Sequence, residues 1–350
     1  MDALRQAAGR TILVGIPSGE LEPDTADRLR RNGYAGVILF GRNLQEPAQT
    51  AALLRDVADC LPHPPLLAID QEGGRVSRLE PWIGATPSAT ALARAGIETL
   101  TQFGIVTGEL LAALGFNLDF APVVDLSPED VGNGIGDRAY STDPAKTVRS
   151  AGAFLNGLQS TGVAGCLKHF PGLGDTAVDS HLELPCVTRS EEQLHALDLR
   201  PYRELARRAA CVMVGHAHYP AIDGDEPLPG TCSRTIVQGW LREQMGYDGL
   251  AVSDDMEMGA VAPRDVDGQA AFEALSAGLD LLLYCKDLNL AETAIERVVR
   301  EASGDATFAA RVQEAASRVE VISRLWPAPA ADLDRFELAR NELGRVSERV

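Results

Sequence analysis

Short apolar runs recur along the chain, each followed by a turn and then by a stretch of helical periodicity. They read TILVGIP (11–17), GVILFGR (36–42), LLAID (66–70), LDFAPVVD (118–125), AGCLKHF (164–170), CVMVGHA (211–217), LAVSDDM (250–256) and LLLYCKD (281–287). They are apolar on both faces and rich in Val, Ile and Leu, the pattern of parallel strands buried from two sides. Between them lie amphipathic segments with start and stop signals. PDTADRLRRNG opens on Pro-Asp and stops at Gly33, and EPAQTAALLRDVADC carries Pro47 near its first turn. DPAKTVRSAGAFLNGLQSTG runs from Asp143 to Gly162, and SRTIVQGWLREQMG from Ser233 to Gly246. Strand alternating with helix implies βαβ units. Eight such units in about 290 residues predict an α/β fold, a (β/α)8 TIM-type barrel. A doubly wound open sheet is the alternative, although no G-x-G-x-x-G follows the first strand to mark a dinucleotide site.

Beyond residue 290 the pattern turns purely helical, in AETAIERVVREA and ATFAARVQEAASRVEVISRL, which predicts extra C-terminal helices. The stretch WPAPAAD (326–332) reads as a linker. The expected division is therefore a catalytic barrel over 1–325 and a linker with a charged tail over 326–350.

Bulk properties narrow the function classes. The 350 residues carry a formal net charge of −18. That excess of acid argues against nucleic acid, whose binding rests on Lys and Arg at phosphates, and against anionic membrane surfaces. The six cysteines are scattered without a C-x-x-C, and reduced core thiols are the expected state. No window has the roughly 18 apolar residues of a membrane span. The apolar run near the N-terminus (11–16) is too short for a signal segment and lacks a preceding basic cluster, so the expected location is the cytoplasm.

In a (β/α)8 barrel chemistry sits at the C-terminal ends of the strands. The third run ends in Asp70, the fourth in Asp125, and the fifth in Lys168-His169. The sixth ends in His216-Ala-His218 and the seventh in Ser253-Asp254-Asp255, while the starts of the same runs carry no comparable set. The fifth run leads into KHFPGLGDTAVDSHLELP (168–185), which gathers Lys, His, Asp and Glu between Pro and Gly bends. Carboxylates, imidazoles and cations without an evident Ser or Cys nucleophile suit acid–base chemistry on a hydroxyl-rich substrate, such as glycoside hydrolysis; SDD is not G-x-S-x-G. His216 and His218 alternate along one strand, so a metal-dependent hydrolase on the same barrel stays open as an alternative.

Three motifs in order, DQEGGRV (70–76), KHFPGLGDTAVDSH (168–181) and GLAVSDDM (249–256), supported by FAPVVDL, GDRAYSTDP and HAHYPAID, resemble glycoside hydrolase family 3. Within it the chain is similar to the bacterial single-domain β-N-acetylhexosaminidases of cell-wall recycling, over about residues 10 to 290. The resemblance implies a retaining exo-β-N-acetylglucosaminidase. It would release terminal β-linked GlcNAc from peptidoglycan-derived saccharides or muropeptides through a glycosyl-aspartate, without cofactor or metal. A family 3 β-glucosidase and an N-acetylglucosaminide phosphorylase are the alternatives. By the same resemblance Asp254 is the nucleophile; its neighbour Asp255 reads as a helix cap or as support for it. His181 is the acid and base, oriented by Asp179. Asp70, Arg78, Arg138, Lys168 and His169 hold the sugar. The plain structural readings of these residues are a helix-capping aspartate, an exposed loop histidine and structural ion pairs. Two departures stand out: Leu173 where the family commonly has His, and Glu257 where a small residue usually follows SDDM.

Overall fold

A computed structural model describes residues 2–129, 134–176 and 184–350. Eight parallel strands close into a barrel: β1 (Ile12–Gly15), β2 (Gly36–Leu39), β3 (Leu66–Ile69), β4 (Leu118–Asp119), β5 (Ala164–Phe170), β6 (Cys211–Val214), β7 (Leu250–Asp255) and β8 (Leu281–Tyr284). Each pairs with its neighbours in sequence, and β1 closes on β8 with Ile12 opposite Leu282. This is the (β/α)8 architecture the periodicity predicts; closure removes the open-sheet alternative.

The fourth run forms the shortest strand. Only Leu118 and Asp119 enter the ladder, because Pro122 has no N–H to give; an isolated bridge from Val123 to Lys168 continues the pairing beyond it.

Apolar residues on both faces of each strand divide into two cores. Leu13, Ile38, Leu66, Ala68, Cys166, Met213, Val252, Leu281 and Leu283 fill the barrel interior. Their neighbours Ile12, Val14, Val37, Leu39, Leu67, Ile69, Leu167, Ala251 and Leu282 pack outward against the helices. The two-residue alternation of a strand therefore decides which side chains reach the barrel axis.

The helices beyond the eighth strand are structural parts of the molecule. Leu288–Gly304 and Ala306–Leu325 pack against each other and against the N-terminal helix Asp2–Arg10. A final helix, Leu333–Ser347, buries Phe336, Ala339, Leu343 and Val346, and it lies along the helix Ile97–Leu114. Asp332 caps its start through its carboxylate, which accepts from Arg335 N at 3.0 Å. No helix among the described residues is long and apolar enough to cross a membrane.

One expectation is corrected. The strand starts do carry a charged cluster. Asp280, fully buried just before β8, takes Arg311 at 2.6 Å and Arg318 at 3.2 Å, and pairs also with Arg242. The arginines come from two distant helices, so no local stretch of sequence announces the group.

Candidate active site

Strand parity carries the interior rows upward to the polar residues. The row of Leu66 and Ala68 leads to Asp70, that of Ala164 and Cys166 to Lys168, and that of Leu250 and Val252 to Asp254. On β2 and β8 the same rows lead to Phe40 and Cys285. All five line one cavity of about 270 Å³ at the C-terminal end of the barrel, together with Glu72, Arg75, Arg78, Arg138, His169 and Leu173. The sequence-predicted residues Asp70, Arg78, Arg138, Lys168, His169 and Asp254 thus meet in one place. Asp179 and His181 lie outside the described residues.

Asp254 sits half-buried at the end of β7, its Oδ1 accepting from the Asp255 amide at 2.8 Å. Burial pushes its carboxyl up, but the His169 and His216 imidazoles, that amide and the Lys168 ammonium outweigh this and hold it below the ordinary aspartate value. The group is therefore ionised at neutral pH. Its neighbour Asp255, which also lines the cavity, accepts from Glu257 N at 3.1 Å and Cys285 N at 3.3 Å, tying β7 to β8. Burial raises the Asp255 carboxyl. Two adjacent aspartates thus receive opposite electrostatic settings from their environments.

The opposite wall is a chain of alternating charges. Lys168 Nζ lies 3.0 Å from Asp70 Oδ1 and 2.6 Å from Glu72 Oε1. Arg138 grips Glu72 in a fork, Nε to Oε2 at 2.7 Å and Nη2 to Oε1 at 2.8 Å. Arg78 Nη2 approaches Asp70 Oδ2 at 3.5 Å. Burial would push Glu72 up, yet Arg138 and Lys168 hold it far below the usual carboxylate range. Burial would likewise lower Lys168, and Asp70 and Glu72 raise it instead. Asp70, Lys168, Glu72 and Arg138 are thus held by their neighbours, whereas Arg78 meets Asp70 only at the edge of hydrogen-bond distance. Glu72 is one of the residues the sequence reading missed. It lies inside the quoted DQEGGRV motif and follows the interior Asp70 by two residues, so strand-like alternation could have flagged it.

His169 is oriented from behind. Its Nδ1 donates to buried Asp125 Oδ2 at 2.7 Å, which leaves Nε2 as the ring atom available to a ligand. Asp125 Oδ1 also accepts from Leu173 N at 2.8 Å. Leu173 therefore anchors the loop after β5 through its backbone, while its buried side chain lines the cavity; no imidazole is needed there for anchoring. Glu257, the second departure, accepts from Lys286 N and, at 3.0 Å, from Asp287 N. It bridges the loops after β7 and β8.

Phe40 and Arg42 were not expected at the site. Arg42 stacks over Phe40 at 4.8 Å and donates to Ile16 O at 3.0 Å and to Cys285 O, fastening the ends of β1, β2 and β8.

The described flanks of segment 177–183 are clamped to each other. Arg189 Nε stands 3.6 Å from Asp175 Oδ1 and its Nη1 pairs with buried Asp198, while Thr188 Oγ1 donates to Asp175 Oδ2 at 3.4 Å. Burial pushes the Asp198 carboxyl up to about 6, against the pull of Arg189. On the far flank, His218 N donates to Pro185 O at 2.8 Å and Val187 N to His218 O at 2.9 Å.

Of the histidines of the sixth run, His216 is engaged in structure, and His218 is engaged through one ring nitrogen, its buried Nε2 having no hydrogen-bond partner among the described residues. His216 accepts from Thr231 Oγ1 at 2.9 Å and donates to Asp255 O at 3.0 Å, so both ring nitrogens are occupied. His218 Nδ1 accepts from Leu228 N at 3.3 Å. Among the described residues, no three His, Cys, Asp or Glu side chains gather as a metal-binding group.

Comparison with known proteins agrees with this geometry. The glycosyl hydrolase family 3 N-terminal domain matches residues 7–322. A beta-hexosaminidase of Bordetella avium is 38% identical over 297 residues, covering 82% of this chain and 83% of the relative. One of Tolumonas auensis is 36% identical over 281 residues, 79% and 83% of the two chains. Among solved structures, a family 3 beta-N-acetylglucosaminidase from Paenibacillus superposes with a TM-score of 0.88 at 31% identity, over 99% of this chain and 68% of that one. Native NagZ from Neisseria gonorrhoeae gives 0.80 at 28% identity, over 96% and 97%.

Proposed function

The chain belongs to glycosyl hydrolase family 3, and from that premise we propose that it is a retaining exo-β-N-acetylglucosaminidase acting on GlcNAc-terminated, peptidoglycan-derived saccharides or muropeptides. That it is a glycoside hydrolase follows from the family. The N-acetylglucosaminyl specificity rests on the beta-hexosaminidase relatives and the beta-N-acetylglucosaminidase structure. The observation that carries the reading is the ionised Asp254 at the end of β7, facing a cavity whose wall also carries the paired charges of Asp70, Glu72, Lys168 and Arg138.

In this mechanism Asp70, Lys168, Arg78, Arg138 and His169 Nε2 hold one terminal sugar by its hydroxyls. The cavity, near the small end of ligand pockets, suits one ring rather than a chain, which is the basis of exo action. Asp254 attacks the anomeric carbon as the bond to the leaving oxygen breaks, giving a glycosyl-aspartate. His181 delivers the proton to the leaving oxygen and then removes one from the incoming water, with Asp179 holding its other nitrogen. Water attack frees the sugar with its original anomeric configuration. The six free cysteines support a reducing, cytoplasmic setting.

The test is a panel of 4-nitrophenyl β-glycosides assayed with and without phosphate. Cleavage of the N-acetylglucosaminide, with free GlcNAc as product in both buffers, is expected. Cleavage of the glucoside alone would reassign the protein as a β-glucosidase. Sugar 1-phosphate as the product in phosphate buffer would make it a phosphorylase.

A further inference from the structure

We propose that the C-terminal helix, through Phe336, is a positioning element for the sugar-binding loop after β3. The proposal rests on the reading of Asp70 and Arg78 as sugar ligands. After Asp70 the chain forms a small hairpin, Gln71–Gly73 against Val76–Ser77, then Arg78, buried Leu79 and a helix of four residues, Glu80–Ile83. A helix of that length does not hold itself together in water, because the cost of its first turn is not repaid by further turns. Its position has to come from tertiary contacts.

Two contacts supply it. On the inside, Gln71 Oε1 accepts from Leu79 N at 3.1 Å, and Gln71 Nε2 donates to Ser77 Oγ at 2.9 Å. On the outside, Trp82 meets Phe336 edge to face, with ring centroids 6.3 Å apart and planes at 76°. Such a pair prefers one geometry and is favourable beyond the area it buries. Phe336 is fully buried, in the first turn of the last helix, and Arg335 on that turn reaches Glu109 at 3.9 Å. The path from the C-terminal helix to the cavity is therefore short: Phe336, Trp82, the four-residue turn, Leu79, Arg78. Among the described residues, Arg78 has only a long contact to Asp70 and a cation–π contact to Phe40 at 5.7 Å. Its placement depends on the backbone that carries it. The family's matched region covers residues 7–322, so Trp82 lies within it and Phe336 beyond it.

The experiment compares Phe336→Ala, Phe336→Leu and Trp82→Ala in the full chain, with Leu343→Ala as a control. Leu343 is buried two turns further along the same helix. The readouts are kcat and KM on the best glycoside of the panel, and amide hydrogen exchange of 71–83. For Phe336→Ala and Trp82→Ala we expect KM to rise roughly fivefold, with kcat within about twofold. Exchange in 71–83 should accelerate. The double variant should be no worse than the worse single one, since both cut the same link. Phe336→Leu should recover most of the effect, and Leu343→Ala should lower the melting temperature without moving KM or the exchange of 71–83. Unchanged exchange and KM in folded Phe336→Ala, or an equal response in Leu343→Ala, overturns the proposal. The exchange readout needs no turnover, so a wild-type protein inactive on N-acetylglucosaminides would refute the proposed specificity and leave the brace to be judged on its own.

Discussion

Two buried ion networks occupy opposite ends of the same barrel. At the strand starts, Asp280 is enclosed by Arg242, Arg311 and Arg318. Its Oδ2 also accepts from Ala251 N at 3.0 Å. The guanidiniums spend remaining donors on backbone carbonyls, Arg242 on Tyr247 and Gly249 and Arg311 on Leu279. At the strand ends, Lys168, Glu72, Arg138 and Asp70 form an equally tight chain, but it borders a cavity and faces an ionised Asp254. Both obey the same rule, that buried charges are paired. The difference is that one network turns its hydrogen bonds on itself and the surrounding backbone, with only the buried Arg242 Nε left unpartnered among its described side chains and no open volume beside it to use it, whereas the other borders an open volume. Charge alone does not mark a site; unspent capacity next to space does.

Substitutions can break this contrast. The largest effect is expected at Asp254→Asn, which keeps the shape and removes the nucleophile. We expect kcat/KM to fall roughly ten-thousandfold, with melting within about 2 °C of wild type. Normal turnover in that variant would falsify the assignment of the nucleophile. Asp280→Asn should do the reverse. Leaving three guanidiniums around a neutral amide should cost about 3 kcal/mol of stability, read by denaturant titration, while kcat per folded molecule stays near wild type. If activity fell before stability, the two ends would not be functionally separate.

A subtler probe is Glu72→Gln, which loosens Lys168 and Arg138 together. KM should rise roughly tenfold, with a smaller change in kcat. The same residue sharpens the comparison through pH. Glu72 has a folded value depressed below the ordinary 4.5, so between the two values the unfolded chain binds the extra proton. Its stabilisation is complete above about pH 4.5 and is lost as the pH falls towards the depressed value. In acid denaturation the wild type should therefore show a stability slope below that pH that Glu72→Gln lacks; equal slopes would mean that Glu72 is not held ionised by its partners. The smallest expected effect is none: dialysis against a chelator should leave turnover unchanged, since both His216 nitrogens are already occupied. A loss restored by a divalent metal would revive the metal-hydrolase alternative.

The barrel was legible because its signal is local and repeated. Apolar runs buried on both faces mark parallel strands wherever they occur, and all eight appear in the ladder. The site was legible for a related reason: strand ends have an address in the fold, so Asp70, Lys168 and Asp254 could be placed together before any coordinates. What stayed hidden depends on partners distant in sequence. Asp280 looked like an ordinary residue before an apolar run, because its three arginines lie far away on other helices. Phe336 sits in what read as a charged tail, and nothing near it names Trp82. Glu72 stood inside a quoted motif but was passed over, since its role appears only once Arg138 arrives from another loop.

The clamp at Asp175, Thr188 and Arg189 has a consequence for how such an enzyme can diversify. A segment whose two flanks are fastened to each other closes its own boundary, so the positions inside it other than Asp179 and His181 can vary with little demand on the scaffold. Exchange of residues 177–183 between relatives, with the three clamp residues and that pair kept, would then be a modular operation. New leaving-group preferences could be grafted onto a barrel that never has to refold around them.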